Sequence, residues 1–212
     1  MNSQDSNSSL TLALTELGEA SGIQNSDEFA ALAAAAEPDE SKPVQAACRL
    51  LTHFNRHEDL IAAFVDVLPD TLELSESQFG FFAEICIGHS GQPYLQSHAV
   101  SNAYDGWPGG PILSGLQFHN LDTLNGAIMT TGKPVLSNDP PNDHRSGGLP
   151  AGHRHLSSYL GLPFHFDGEL VGALAVANRQ VGYDDAIVEY LRPFSLACCL
   201  VIGAWRRGAG TP

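Results

Sequence analysis

The chain reads as an α+β domain, a central antiparallel β-sheet flanked by helices. Three observations predict this. The elements run helix, helix, strand, strand, loop, helix, strand, loop, strand, strand, helix, without the strand–helix alternation of a parallel sheet. The Asp167-Gly168 pair joins two apolar runs and is the strongest short hairpin signal in the chain. Amphipathic helical patterns stand on both sides of the strand region, so each can cover a sheet face.

Residues 1–42 differ from the rest: they are acidic, rich in Ser and Ala, and hold one aromatic, Phe29. Helical patterns run over Leu10–Ala20 and Asp27–Glu37, the second led by Ser26 as N-cap with Asp27 and Glu28 in its first turn. Helices this short are marginal without a packing partner, so the expectation is a flexible acidic arm that turns helical on contact. A strong helix starts at Pro43, with Val44, Ala47, Leu50, Leu51 and Phe54 on one face. Another follows from His57 through Leu60, Ile61, Phe64, Val65 and Leu68, ending near Pro69.

Gln78–Gly88 is aromatic and β-branched and reads as a strand, and Pro93–Asn102 alternates as its hairpin partner. Ala103–Gly115 is a Gly/Pro loop carrying Trp107. Leu121–Thr131 is a short helix stopped by Gly132, and Pro134–Ser137 is a brief strand. Ser157–Phe166 and Glu169–Asn178 form the Asp167-Gly168 hairpin, where Gly161 and Gly172 mark bulges or close approaches to the backbone. A final helix spans Tyr183–Arg206, with Asp184 and Asp185 at its start and Arg206 and Arg207 at its end, and residues 208–212 fray. The expected domain is thus 43–207.

Composition excludes several functions. Across 212 residues, 24 Asp and Glu face 10 Lys and Arg, a net charge of −14. Nucleic acid needs a basic footprint, and anionic membrane surfaces need one too. No window reaches the ~18 apolar residues of a membrane span, and the N-terminus lacks a signal-peptide pattern. Cys48, Cys86, Cys198 and Cys199 have no metal spacing, which suits reduced thiols of a cytoplasmic protein.

The segment from Ser137 to Pro163, SNDPPNDHRSGGLPAGHRHLSSYLGLP, is a long connection without periodicity. Its Pro and Gly favour one fixed irregular path, so it reads as an ordered loop over a pocket. Downstream, GELVGALAVANRQVGYDDAIVEYLRPFSLACCLVIGA resembles the closing half of a GAF domain. Upstream, NLDTLNGAIMTTGKPVLSND and RSGGLPAGHRHLSSYLGLP resemble a bacterial sensor-type GAF subgroup found beside histidine kinases and diguanylate cyclases. The likeness covers about Ser77 to Ala204. It implies a GAF-like central antiparallel sheet with helices on both sides, a pocket under the central loops, and a homodimer formed through terminal helices.

The resemblance also sorts known GAF activities. Bilin attachment and free methionine-(R)-sulfoxide reduction both call for cysteines near the pocket loops, and the loop segment has none. Asn178-Arg179…Tyr183-Asp184-Asp185 echoes a cyclic-nucleotide pattern with changes at nearly every position, and reads as a structural echo. Catalysis finds no elbow-type nucleophile.

Candidate ligand contacts are Arg145, Asn138, Asp139, His153, His155, Trp107 and Tyr94. A guanidinium suits carboxylate or phosphate, although an internal pair of Arg145 with Asp139 or Asp143 is the even alternative. Asn138-Asp139 reads first as a turn cap. His144, His153 and His155 could ligate a metal, but hydrogen bonding to loop carbonyls is favoured, so no metal site is assigned. Trp107 and Tyr94 are aromatic walls or core. The sequence predicts a non-enzymatic, cytoplasmic sensory module that binds an unidentified small molecule under residues 138–155. Signalling would pass through the terminal helices to an output partner, with neither cofactor nor ligand named. The alternatives are a ligand-free dimerisation scaffold, or a small redox or hydrolytic enzyme.

Overall fold

The computed structural model describes residues 3–35, 41–101, 103, 112–113, 115–149 and 151–209. The helices are α1 (Ser3–Ser21), α2 (Asp27–Ala35), α3 (Lys42–His57), α4 (Leu60–Leu74), α5 (Leu124–Thr131), α6 (Asp185–Tyr190) and α7 (Arg192–Ala209). The strands are β1 (Phe79–Ile87), β2 (Pro93–Ser101), β3 (Ile112–Leu113), β4 (Gln117–Phe118), β5 (Val135–Ser137), β6 (Tyr159–Phe166) and β7 (Glu169–Ala177). They form one antiparallel sheet in the order β3-β2-β1-β7-β6-β5, with β4 also paired to β2. The α+β class with a central antiparallel sheet is as expected.

Strand alternation divides the core in two. Phe82, Ala99, Leu160, Leu162, Phe164, Leu174 and Val176 face the large helical layer. Phe81, Ala83, Ile85, Leu95, Tyr159, Ala173 and Ala175 face α5 and the loops around it. Both glycine expectations are met by close approach. A Cβ on Gly161 would run into Ile128 of α5 and the Tyr159 hydroxyl, and one on Gly172 would meet the Ala83 carbonyl and Ile202 of α7. The 167–168 turn has φ of 50° and 78°, the two positive values that a tight hairpin turn requires.

Four expectations are corrected. The flexible arm is instead folded onto the domain. Leu10, Ala13, Leu14 and Leu17 of α1, then Ile23 and Leu32, are buried against α3 and α7. The packing partner that such weak helices need lies in the same chain, and Ser26 caps α2 through the Phe29 N–H. The α4 helix runs through Pro69 to Leu74, because the burial of Leu68, Thr71 and Leu74 outweighs the one backbone bond that Pro69 removes. The final helix is two pieces. Asp184 caps α6 through the Ile187 N–H, and a turn at Leu191 (φ −79°, ψ −6°) separates it from α7, where Pro193 has no N–H to continue the helical ladder. The 103–115 loop contributes a short strand, β3, to the sheet edge.

Candidate ligand chamber

On the α5 side the sheet presents a floor of small residues: Ala83, Ala173, Ala175 and Gly161. The α5 helix packs directly on this floor, with Ile128 against Gly161. Thr123 caps it by accepting the Gly126 N–H at 2.9 Å, and Gly132 ends it with φ 61°. Ile128, wholly buried, and Met129 lie between this helix and the floor. Phe118 stacks on Phe81 with centroids 4.9 Å apart. Tyr159 adds a polar group, its hydroxyl donating to Asn125 Oδ1 at 2.6 Å. Burial pushes the Tyr159 phenol far above its usual range, so it stays neutral.

The described residues of the 138–158 loop cover the end of this face where β1 and β7 pair Phe79 with Ala177, with His153 and Leu156 packed there. The Arg145 guanidinium grips Asp143 through Nε (2.9 Å) and Nη2 (2.8 Å), and Nη2 also donates to the Leu136 carbonyl on edge strand β5 at 2.9 Å. Those bonds hold the Asp143 carboxyl well below the usual carboxylate range. The internal pair weighed from the sequence is the observed one, and it also shields a sheet edge. Gly147 lies against Thr123, so this part of the loop roofs the start of α5.

Asn138 reaches further. Its Oδ1 accepts the Tyr183 N–H at 2.8 Å and its Nδ2 donates to the Tyr183 carbonyl at 2.9 Å, tying the loop to the segment entering α6 and α7. Asp139 accepts from Asn142 Nδ2 at 2.9 Å and closes one 3-10 turn at Pro140–Asn142. His153 Nδ1 donates to the Arg154 carbonyl at 2.6 Å, and the ring meets Phe79 edge-on at 5.5 Å. The Arg154 N–H donates to the Ala103 carbonyl at 2.8 Å. Exposed His155 is held by its backbone, through Asn178 Nδ2 at 2.8 Å. Asn178 itself sits at φ 65° and also accepts the Ser157 N–H at 2.9 Å. The Asn178-Arg179 echo is thus a hinge pin for the loop.

Tyr94 does not belong to this group. It pairs with Cys86, about seven residues or roughly 23 Å along β1 from Phe79. It also points to the opposite face from Leu95 and stacks on His119 at 4.7 Å. Trp107 lies outside the described residues. Among the described residues no three His, Cys, Asp or Glu side chains stand together as a metal site would need.

Two features escaped the sequence. A β-bulge between Phe82 and Ala83 sets His98 beside Glu84, and His98 Nε2 donates to that carboxylate at 3.2 Å. Arg206 Nε donates to the other oxygen at 2.6 Å, while its Nη2 donates to the carbonyls of Ile85 and Val171. Those carbonyls flank the place where the β1–β7 ladder stops, at Glu84 and Gly172. Burial opposes ionisation of Glu84, but the bonds from His98 and Arg206 outweigh it, and its carboxyl sits below the usual range. The second feature is a half-open groove of about 940 Å³ between α1, α3 and α7, lined by Leu12, Leu17, Phe54, Asn55, Trp205 and Arg207. It lies on the helical side of the sheet, opposite α5.

Comparison with known proteins gives one family and one fold. The profile of the GAF domain matches residues 57–201. The GAF domain of an Acinetobacter phosphoenolpyruvate-protein phosphotransferase superposes with a TM-score of 0.60 at 15% identity, over 82% of this chain and 98% of that one. A phycocyanobilin-bound GAF domain from a cyanobacterial phytochrome gives 0.57 at 13% identity, over 79% and 97%. The free methionine-R-sulfoxide reductase of Neisseria meningitidis, solved with its substrate, gives 0.55 at 14%, over 80% and 95%. No curated protein sequence matches the chain.

Proposed function

Since the chain belongs to the GAF domain family, whose members are sensory and regulatory modules that bind small molecules, we propose that it is itself a non-catalytic sensor. Its ligand would sit between the Ala83–Ala173–Ala175–Gly161 floor and the 138–158 roof. The α3 and α7 helices would carry the response to a second copy of the chain or to an output protein.

The observation that carries this reading is the pair of hydrogen bonds between Asn138 and the Tyr183 backbone. A ligand that lifts or tightens the roof at Arg145 pulls on Asn138, and Asn138 holds the chain that enters α6 and α7. At its far end α7 is fixed to the sheet through Arg206. A helix held at both ends, one of them by the roof, converts a local displacement into a shift of packing. The roof polar groups are spent on building the roof itself, so Arg145, Asp139 and His153 act as its frame rather than as ligand receptors.

The test is native mass spectrometry of the chain purified from its own host, with hydrogen exchange before and after the retained mass is stripped. A small-molecule adduct whose removal raises exchange in both 138–158 and α7 is the expected result. An adduct-free protein, whose exchange no compound library alters in either segment, would sink the sensor and favour a scaffold.

A further inference from the structure

We infer that the groove between α1, α3 and α7 is a binding site in its own right, and that it takes an amphipathic organic cation: a protonated primary amine on an apolar body. It lies on the other side of the sheet from the site proposed above and does not depend on it.

The first argument is shape. The groove holds about 940 Å³ and is half open. Small residues in its walls leave that room: Ala13 and Ala20 on α1, Ala204 and Gly208 on α7. Apolar surface stays uncovered around it, with Leu12 60% exposed and Trp205 only partly buried. A space of this size suits a small molecule, and unclaimed apolar surface binds the hydrocarbon part of one.

The second argument is charge. Glu16 and Glu58 line the groove, and neither has a cationic partner among the described residues. Of the two arginines there, Arg207 is already spent. Its guanidinium donates to Asp167 at 2.6 Å and to the Gly22 carbonyl at 2.8 Å, and it lies over the Phe166 ring. Exposed Arg56 is left to offset one of the two acids. The backbone then decides the sign. The α1 helix ends at Ser21, α3 at His57 and α7 at Ala209, and Ser21, Glu58 and Gly208 all stand in the groove wall. Three helix C-termini converge here, each bringing about half a negative charge. A carboxylate or phosphate would meet one arginine against that field, whereas an ammonium is favoured by all of it. The net charge of −14 on the whole chain adds to the attraction at low salt.

The third argument is unmet acceptors. At the end of α3 the Phe54 carbonyl is taken by the Glu58 N–H, while the carbonyls of Asn55, Arg56 and His57 accept no hydrogen bond from the described residues. On the same wall Asn55 Nδ2 donates to the Ala13 carbonyl at 2.7 Å, and Asn55 Oδ1 is buried without a donor. A buried acceptor left unmet is costly. Such acceptors call for N–H donors. A primary ammonium carries three, and a quaternary ammonium carries none.

The probes are n-octylamine, n-octanol, n-octanoate and octyltrimethylammonium, each titrated at pH 7 into the full chain while the Trp205 indole N–H resonance, assigned through Trp205→Phe, is followed. The expected result is a saturable shift with n-octylamine, at an affinity about tenfold or more above the other three, which weakens as salt is raised. Glu16→Gln combined with Glu58→Gln should cut the octylamine affinity by about fivefold and leave octanol binding unchanged. Ala20→Phe, at an exposed position, should block the groove, with unchanged dispersion of the sheet amides confirming the fold. Octanoate or octanol binding at Trp205 as tightly as octylamine overturns the cation, and equal binding of octyltrimethylammonium overturns the primary amine. A Trp205 signal unmoved by all four overturns the groove as a site and leaves the sensor reading, tested on 138–158, untouched.

Discussion

The two ends of the sheet solve the same problem, satisfying polar groups where strands run out, in opposite ways. At the loop end the partners are neighbours in sequence: Arg145 holds Asp143 and Asn142 holds Asp139, across separations of 2 and 3 residues. At the hairpin end Arg206 reaches Glu84 across 122 residues and Val171 across 35. Short-range pairs shape the loop, and it reaches the rest of the fold through Asn138, bonded to Tyr183 across 45 residues. A long-range network makes the last turn of α7 part of the sheet. Residues that look like ligand receptors by type can thus be framework, and framework can be the element that transmits.

The largest expected effect lies at the hairpin end. Arg206→Ala leaves Glu84 with His98 alone and strips two carbonyls of their donor, so we expect a loss of about 3 kcal/mol in urea unfolding. A loss below about 1 kcal/mol would mean that water replaces the guanidinium, and the contrast between the two ends would collapse. Asn138→Ala comes next, at about 2 kcal/mol, because it removes two bonds to the Tyr183 backbone. It should also raise amide exchange in α6 and the first turns of α7 without affecting the 167–168 hairpin. Uniform change across the chain would deny Asn138 its coupling role. Arg145→Ala should cost only about 1 kcal/mol, since its bonds are local and its side chain is 30% exposed. A larger loss, matched at Leu136 by new exchange, would make edge protection its main task.

How much of this was legible follows from the range of each contact. Strand and helix identities came from periodicity, the 167–168 turn from one dipeptide, and the α5 stop from Gly132. The roof was recognisable as an ordered loop because its Pro, Gly and Asn fix local dihedrals. What failed was non-local. The α1 helix looked unsupported because its partners, α3 and α7, stand far along the chain. Tyr94 was placed with the loop because sequence does not say which end of a hairpin meets which loop, and register alone decides it. Alternation could not have placed His98 beside Glu84 because a bulge shifts the pattern by one residue just there. On the α5 face, Gly161 was the legible signal, marking the approach of Ile128, whereas Asn125 gave none.

The smallest effect sharpens the comparison through pH. Both Asp143 and Glu84 ionise more readily in the folded chain than ordinary carboxyls do. Between the unfolded values, about 4, and the lower folded ones, the unfolded chain binds more protons, so stability rises with pH. Each contribution is complete above the unfolded value and is lost as pH falls through the folded one. Arg145→Ala removes the cause at Asp143 and should flatten the acid side of the urea-midpoint profile while leaving the plateau near pH 7 shifted only slightly. Glu84→Gln should flatten it too, but with a lowered plateau, because the neutral amide still leaves Arg206 short of a charge partner. If the two profiles instead superpose after scaling, the ends respond to protons as one unit. The α7 helix would then link them more tightly than separate local and long-range networks allow.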